Sequence, residues 1–529
     1  MDRRPLVSTV QSDPGVVASS GHLTRSVSES GGSGGRLGVS PSNGGRDYSD
    51  DYGADVERTP GAGGNVQGSS GIFSSSPFLR SPAMYFSQKF RAGSVKGSVF
   101  TLSVAIIGAG SLSVPFAFEE AGLLLTLALF VLGGLLAYFT LQQLVMSSIL
   151  VSKWHGTRVC SYRQLGLVLY GVKFSRFVQT CLLMNLYGTS VSYAVAASRM
   201  LGLIMSVVSS LGEGSSSVDI GEWGQPWVLC LLISAIALPL SLCRNLSSLR
   251  FTSLFAVACV LYLSIVVTVK YFQYCLEGDF VYPVVNGTIN RSAPGQLVQC
   301  FWNSTVPEGQ TSTFELANFE PKRILSALPI VMFAYTCHPN FLPIFVELKN
   351  PLERRMQKVS RRAISIALTI YSLIGVFGYM TFKEQLATSD GNFLLNDFHR
   401  DPAVIAGAVG MCISMMLTIP LFVHSFRSNF IFMVRGPYSE TPAKWHYGVT
   451  LVFYVFVLLP AILVHDLSLV FKILGSTTNP LIMFPIPVAF FWRASEPNEY
   501  VGLKRAGIVI SVTMVSLSLT SFVYQLIEM

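Results

Sequence analysis

Eleven stretches of about twenty mainly apolar residues decide what this 529-residue chain can become. A helix of that length crosses the hydrocarbon core of a bilayer, where every backbone amide and carbonyl must find its partner within the segment. Spans are expected over 97–118, 122–150, 174–206, 226–243, 251–274, 324–346, 363–382, 402–426, 446–464, 467–491 and 506–526, and only His465 and Asp466 separate the ninth from the tenth. Composition agrees: half the residues are apolar and 12% are charged, against roughly a quarter charged in soluble domains. The expected fold class is an all-α integral membrane protein. That argues against a soluble enzyme, a nucleic-acid-binding domain or a disulfide-stapled secreted module. A membrane-embedded enzyme would need clustered carboxylates, histidines or cysteines within the spans, which the sequence lacks. No Cys or His spacing resembles a metal site, and no cofactor is expected.

Residues 1–93 read as a disordered tail, because runs such as Gly31-Gly32-Ser33-Gly34-Gly35 cannot bury enough apolar surface to offset the entropy of ordering. Residues 94–529 form the expected membrane domain. Counted from Arg80 onward, Lys and Arg number 22 in the alternate segments that begin with the end of the tail and 5 in the other set, so the tail is assigned to the cytosol and the C-terminus to the outside or lumen. The longest outer loop, about 275–323, carries three glycosylation acceptors at Asn286, Asn290 and Asn303. A fourth match, Asn245, falls on the cytosolic side and should carry no sugar. Cys275 and Cys300 face an oxidising compartment in the same outer loop, where a disulfide would staple a segment without its own core.

Two spans carry helix breakers together with polar residues. The first contains Gly108-Ala109-Gly110-Ser111, then Ser113 and Pro115; the sixth contains Tyr335-Thr336-Cys337-His338-Pro339-Asn340 between Pro329 and Pro343. Their positions correspond if the chain is two five-helix halves followed by an eleventh helix. Interrupted helices at matching places in inverted halves point to a transporter's midplane binding site. An interruption frees amides at a positive helix end, where a carboxylate is favoured, and carbonyls that suit an ammonium or a small cation. A zwitterionic amino acid presents both groups.

The stretch Phe333-Ala334-Tyr335-Thr336-Cys337-His338-Pro339-Asn340-Phe341-Leu342-Pro343, continuing to Pro351, closely resembles the sixth helix of the amino acid/auxin permease family, and within it the sodium-coupled neutral amino acid transporter branch. Gly97 to Pro115, Ser360 to Phe382 and Gly475-Ser476-Thr477-Thr478-Asn479-Pro480 resemble further segments, so the likeness covers about 95–527. It implies a LeuT-like fold of two inverted five-helix repeats and alternating access for an ion-coupled amino acid, neutral or also cationic. It further implies that the backbone of Gly108, Ala109, Gly110 and Ser111 holds the substrate's charged groups. Phe333 and Tyr335 would line the side-chain pocket, with Asn185 as a polar wall. Thr418, in Leu417-Thr418-Ile419-Pro420, resembles the sodium-ligating threonine, helped by first-span carbonyls such as that of Ala105. Where the sodium-coupled branch carries an asparagine this chain has Val104, which leaves the coupling ion open between sodium and a proton, with uniport also admitted.

The remaining polar residues have plainer readings. Arg199, Lys270 and Lys472 lie near outer span ends, where long stems reach the headgroups. His338 and His424 read as packing or capping residues, with proton relay as the other role. Glu119 and Glu120 close the first span at the outer interface. The run Lys349, Arg354, Arg355, Lys358, Arg361 and Arg362 anchors the cytosolic face on anionic lipid. Asp2-Arg3-Arg4-Pro5-Leu6-Val7 resembles an acidic dileucine sorting signal, so either the plasma membrane or an endolysosomal or vacuolar membrane fits. The expected partners are an amino acid and the bilayer, with no nucleic acid and a monomeric chain. The alternative is an amino acid sensor signalling through its N-terminal tail.

Overall fold

The computed structural model describes residues 93–156, 158–213, 224–243, 250–277, 315–382, 386, 391–395, 401–436, 442–464 and 466–528, all within the unit Pro77–Met529. Every regular element among the described residues is helical. In chain order these are α1 (Val95–Ile106), α2 (Val114–Ala121), α3 (Leu123–His155), α4 (Tyr162–Tyr170), α5 (Val172–Glu213), α6 (Pro226–Leu242), α7 (Arg250–Glu277) and α8 (Pro321–Ala334). There follow α9 (His338–Glu347), α10 (Glu353–Phe382), α11 (Pro402–Arg435), α12 (Ala443–Leu463), α13 (Leu467–Ser476), α14 (Thr478–Met483), α15 (Pro485–Ala494) and α16 (Val501–Glu528).

Local sequence sets the ends of these helices. Ser161 and Gln164 cap α4 reciprocally: the Ser161 hydroxyl accepts from the Gln164 amide, and the Gln164 side chain accepts from the Cys160 amide at 2.7 Å. Asp401 caps α11 by accepting from the Ala403 amide at 2.9 Å, with Pro402 supplying the fixed φ of the first turn. At its other end α11 stops at Gly436, whose φ of 83° lies in the left-handed region.

By length and composition, eight helices among the described residues can cross a bilayer, counting α8 and α9 as one span. The pair α13 and α14–α15, bent by 42°, makes a ninth. The first and fourth expected spans differ: α1 has 12 residues and α6 has 17, short of the ~20 that a full crossing takes. For the first span the reason is its break; α6 starts on Pro226 and ends at Cys243 in extended conformation. Other helices overrun their expected spans. The 33 residues of α3 and 42 of α5 extend about 50 and 63 Å at ~1.5 Å per residue. α4, between the second and third spans, was not expected from hydropathy. Apolar side chains such as Leu135 and Val509 are 61% and 64% exposed on the outside of the bundle, where lipid is the natural solvent.

The interior is built around α5, which packs against α11 along its length, while α10 packs against α1, α3 and α7. Lys270 and Lys472 find carboxylates rather than the expected headgroups: Lys270 pairs with Asp401, and Lys472 pairs with Glu120 at 3.0 Å. His338 is fully buried, with Nε2 2.9 Å from the Thr140 hydroxyl. Cys300, the sequons at Asn286, Asn290 and Asn303, Asn245, the N-terminal tail and the side chain of Cys275 lie outside the described residues.

Candidate functional site

Both sequence-flagged breaks are present. α1 ends at Ile106, and the chain passes through Gly108 at φ −121°, ψ −149° into a short 3-10 turn, Ala109–Leu112. α2 then restarts with Pro115 in its first turn. The Ser111 and Ser113 amides donate to the carbonyls of Gly108 and Gly110 at 3.2 and 3.1 Å. The amides of Gly108 and Gly110 have no backbone acceptor among the described residues. In the second break α8 ends at Ala334, three residues turn, and α9 restarts with Pro339, which has no amide to donate.

One side chain joins the two breaks. The Tyr371 hydroxyl on α10 lies 2.8 Å from the Ile106 carbonyl and 3.0 Å from the Ala334 carbonyl, so its single proton is shared between the last carbonyls of α1 and α8. These orphan acceptors are otherwise costly in a water-free interior.

The breaks border a cavity of about 430 Å³, walled also by α5, α7 and α11. Thr101, Pro343, Glu347 and Ser425 line it toward the Glu347 end, where Thr101 and Glu347 are exposed. No residue of α2 or α13 lines it. On that side Phe333 stacks on Phe471 with ring centroids 4.3 Å apart, and the Glu120–Lys472 pair joins α2 to α13 beyond. The cavity therefore opens at the Glu347 end and is closed at the Glu120 end. Glu347, at the exposed mouth, is the sole charged residue among its described lining residues.

Of the residues singled out from sequence, Gly108, Gly110, Asn185, Phe333, Ala105 and Thr418 line this cavity. Ala109 lies in the turn between the two glycines. The Thr418 hydroxyl donates to the Ser414 carbonyl at 2.7 Å, so its lone pairs are available to a cation. Ser111 and Tyr335 are placed differently. Ser111 is fully buried, with its hydroxyl turned back on the Gly108 carbonyl at 3.0 Å. Tyr335 packs on α3 at Gly133 and Gly134, edge-on to Tyr371 at 5.9 Å, and does not line the cavity. Residues two apart on a helix point about 200° apart, so with Phe333 facing the cavity Tyr335 faces away.

Three residues were missed. Tyr193 stands against the first break, its hydroxyl 2.5 Å from where a Cβ on Gly108 would lie, and its ring meets Phe422 of α11 edge-on at 4.9 Å. The four-residue spacing of Asn185, Thr189 and Tyr193, all cavity-lining, was a legible sign of one helix face. Asn479 of α14 accepts from the Asn185 amide, and its own Nδ2 is buried without a partner among the described residues. Tyr371 had no local sign, because its role exists only once α1 and α8 are side by side.

Comparison with known proteins gives three results. The sequence model described as transmembrane amino acid transporter protein matches residues 91–529. A sodium-coupled neutral amino acid symporter 2 of Danio rerio is 25% identical over 425 residues, covering 80% of each chain. Among solved structures, an Eremococcus coleocola manganese transporter aligns with a TM-score of 0.50 at 12% identity, over 83% of this chain and 88% of that one. At that identity the likeness speaks for the fold alone.

Proposed function

We propose, for a chain that belongs to the transmembrane amino acid transporter family, a secondary active transporter that carries neutral amino acids by alternating access and is driven by sodium. The observation that carries this reading is that two interrupted helices border one cavity, with the amides of Gly108 and Gly110, which have no backbone acceptor among the described residues, on one wall and the Thr418 hydroxyl on another. The two amides would take the substrate carboxylate. Carbonyls of the first break would take the ammonium group and, with the Ala105 carbonyl and Thr418 Oγ1, a sodium ion. Phe333, Met411 and Met415 supply an apolar wall. With no buried charge among the described lining residues, a neutral side chain fits better than a cationic one.

We assign the tail and the Glu347 end to the cytosol from the Lys and Arg distribution, which makes the arrangement inward-open. Counting α1–α2 and α6 as crossings gives eleven spans in two inverted halves plus one, with residues 1–93 as a tail. The Lys349 amide donates to the Gly93 carbonyl at 3.2 Å, linking the end of α9 to the start of α1, the inner halves of the two broken helices. Substrate release and return would thus move the inner halves of both broken helices as one body. The Danio rerio relative, a sodium-coupled symporter by name, supports sodium over a proton, and Val104 in place of asparagine leaves the cation to Thr418 and backbone carbonyls.

Purified protein in liposomes, given labelled neutral amino acids under separate sodium and pH gradients, tests this. Uptake that follows the sodium gradient, with Thr418→Ala raising the half-saturating sodium concentration about tenfold, is the expected result. Uptake driven equally by a pH gradient without sodium, or an unchanged sodium response in the variant, overturns the ion assignment.

A further inference from the structure

A second cavity, of about 230 Å³, lies between the end of α3, the 158–159 segment and the end of α9. Its apolar lining is Ile149, Val159, Phe345, Val346 and Pro351. Lys153 and Arg158 line it too, exposed and in no ion pair among the described residues. Ser148 and Ser152 are tied to Val159: the Ser148 hydroxyl donates to its carbonyl at 2.9 Å, and Ser152 accepts from its amide at 3.1 Å. These bonds fix the segment that carries Arg158 against α3. The Cys160 thiol is pushed up by burial, against the pull of Arg158, so it stays neutral and leaves the guanidinium charge unopposed.

We infer that this cavity binds the phosphate of an anionic phospholipid headgroup and that its occupancy restrains α9. Two unpaired cations over an apolar floor match a phosphate joined to a lipid rather than a free anion. Trp154, 57% exposed and adjacent to Lys153, is a residue type that settles at headgroup depth. The cavity also touches the moving part of the proposed transport cycle. Pro343, Ile344 and Glu347 of α9 line the central cavity, while Phe345 and Val346 of the same turn line this one. A ligand bridging Lys153, Arg158 and α9 would hold the inner half of the sixth span where the central cavity is open.

The test uses the full chain in phosphatidylcholine nanodiscs containing a few mole percent phosphatidylinositol 4-phosphate, with bound lipid read by native mass spectrometry. Each cation near an anionic headgroup contributes a factor of about five, so Lys153→Gln with Arg158→Gln should weaken retention about thirtyfold. Lys444→Gln with Arg505→Gln, the same charge change on α12 and α16 outside the cavity, should leave retention within threefold of wild type. Equal retention by the two double variants overturns the site. Displacement of the lipid by an equal concentration of inorganic phosphate or soluble inositol bisphosphate overturns the lipid as its ligand. Hydrogen exchange across 338–347 should slow at least threefold when the lipid is added to wild type and not when it is added to the Lys153/Arg158 variant; an equal response in both overturns the restraint on α9. None of these readouts requires transport, so the result stands apart from the identity of the transported substrate.

Discussion

Gly475 is where the closed end of the cavity can be most directly forced apart. It lies on α13, one turn beyond Phe471, and faces the backbone of α8 at Pro329. A Cβ at this position would stand 1.9 Å from the Pro329 carbonyl oxygen, 2.6 Å from its carbonyl carbon and 2.8 Å from its Cα. Real Cβ contacts essentially never fall below 3.0 Å, so Gly475→Ala must separate the two helices by about 1.1 Å. No rotamer change relieves a clash with backbone. Overpacking of this kind costs roughly 1–3 kcal/mol, or about 5–150-fold in an equilibrium. The same two helices carry the Phe333–Phe471 stack, so the cost falls on the arrangement closed at the Glu120 end and is relieved when that end opens. Gly475→Ala should therefore fold and bind substrate from the Glu120 side while initial uptake into liposomes drops at least tenfold. Gly448→Ala on α12, whose Cβ meets nothing within 4 Å, is the matched control and should transport normally. Wild-type uptake by Gly475→Ala, with an unchanged melting temperature, would refute the argument that this contact closes the site.

The other expectations rest on equally local features. Tyr371→Phe strands the carbonyls of Ile106 and Ala334 together, costing about 1–3 kcal/mol; it should lower the melting temperature and slow uptake, and a silent variant would show the shared bond to be dispensable. Gly108→Ala presses on the Tyr193 hydroxyl, while Gly110→Ala meets the Phe333 ring only at 3.4 Å; binding titrations should show the larger loss of substrate affinity, on the order of tenfold, at Gly108, and the reverse order would move the carboxylate site. Glu120→Lys and Lys472→Glu should each impair uptake and their combination restore it, since the pair is half-buried and contributes on the order of 1 kcal/mol; a double variant no better than the singles would remove the ion pair from the closure.

The two breaks were legible because their causes are local. Glycines at 108 and 110 and prolines at 115 and 339 weaken a helix where they stand, and both interruptions fall among them. The ninth and tenth spans also separate as the sequence suggests, α12 ending at Leu463 and α13 starting at Leu467. Side-chain direction at the breaks was less legible. The family resemblance places both Phe333 and Tyr335 at the pocket, yet only Phe333 lines the cavity. Lys472 was given to the headgroups because hydropathy registers how deep a charge lies, and its carboxylate partner is 352 residues away.

What the sequence determined by itself was everything that follows from short-range chemistry: a membrane-spanning helical chain, the places where two helices come unwound, and glycine amides left free at one of them. The tertiary structure decided which ends of those helices meet. Only packing brings Tyr371 between Ile106 and Ala334, lays Phe471 over Phe333 and opens the cavity at one end while closing the other. These arrangements depend on residues hundreds of positions apart coming within a few ångströms, and no local propensity encodes such a distance.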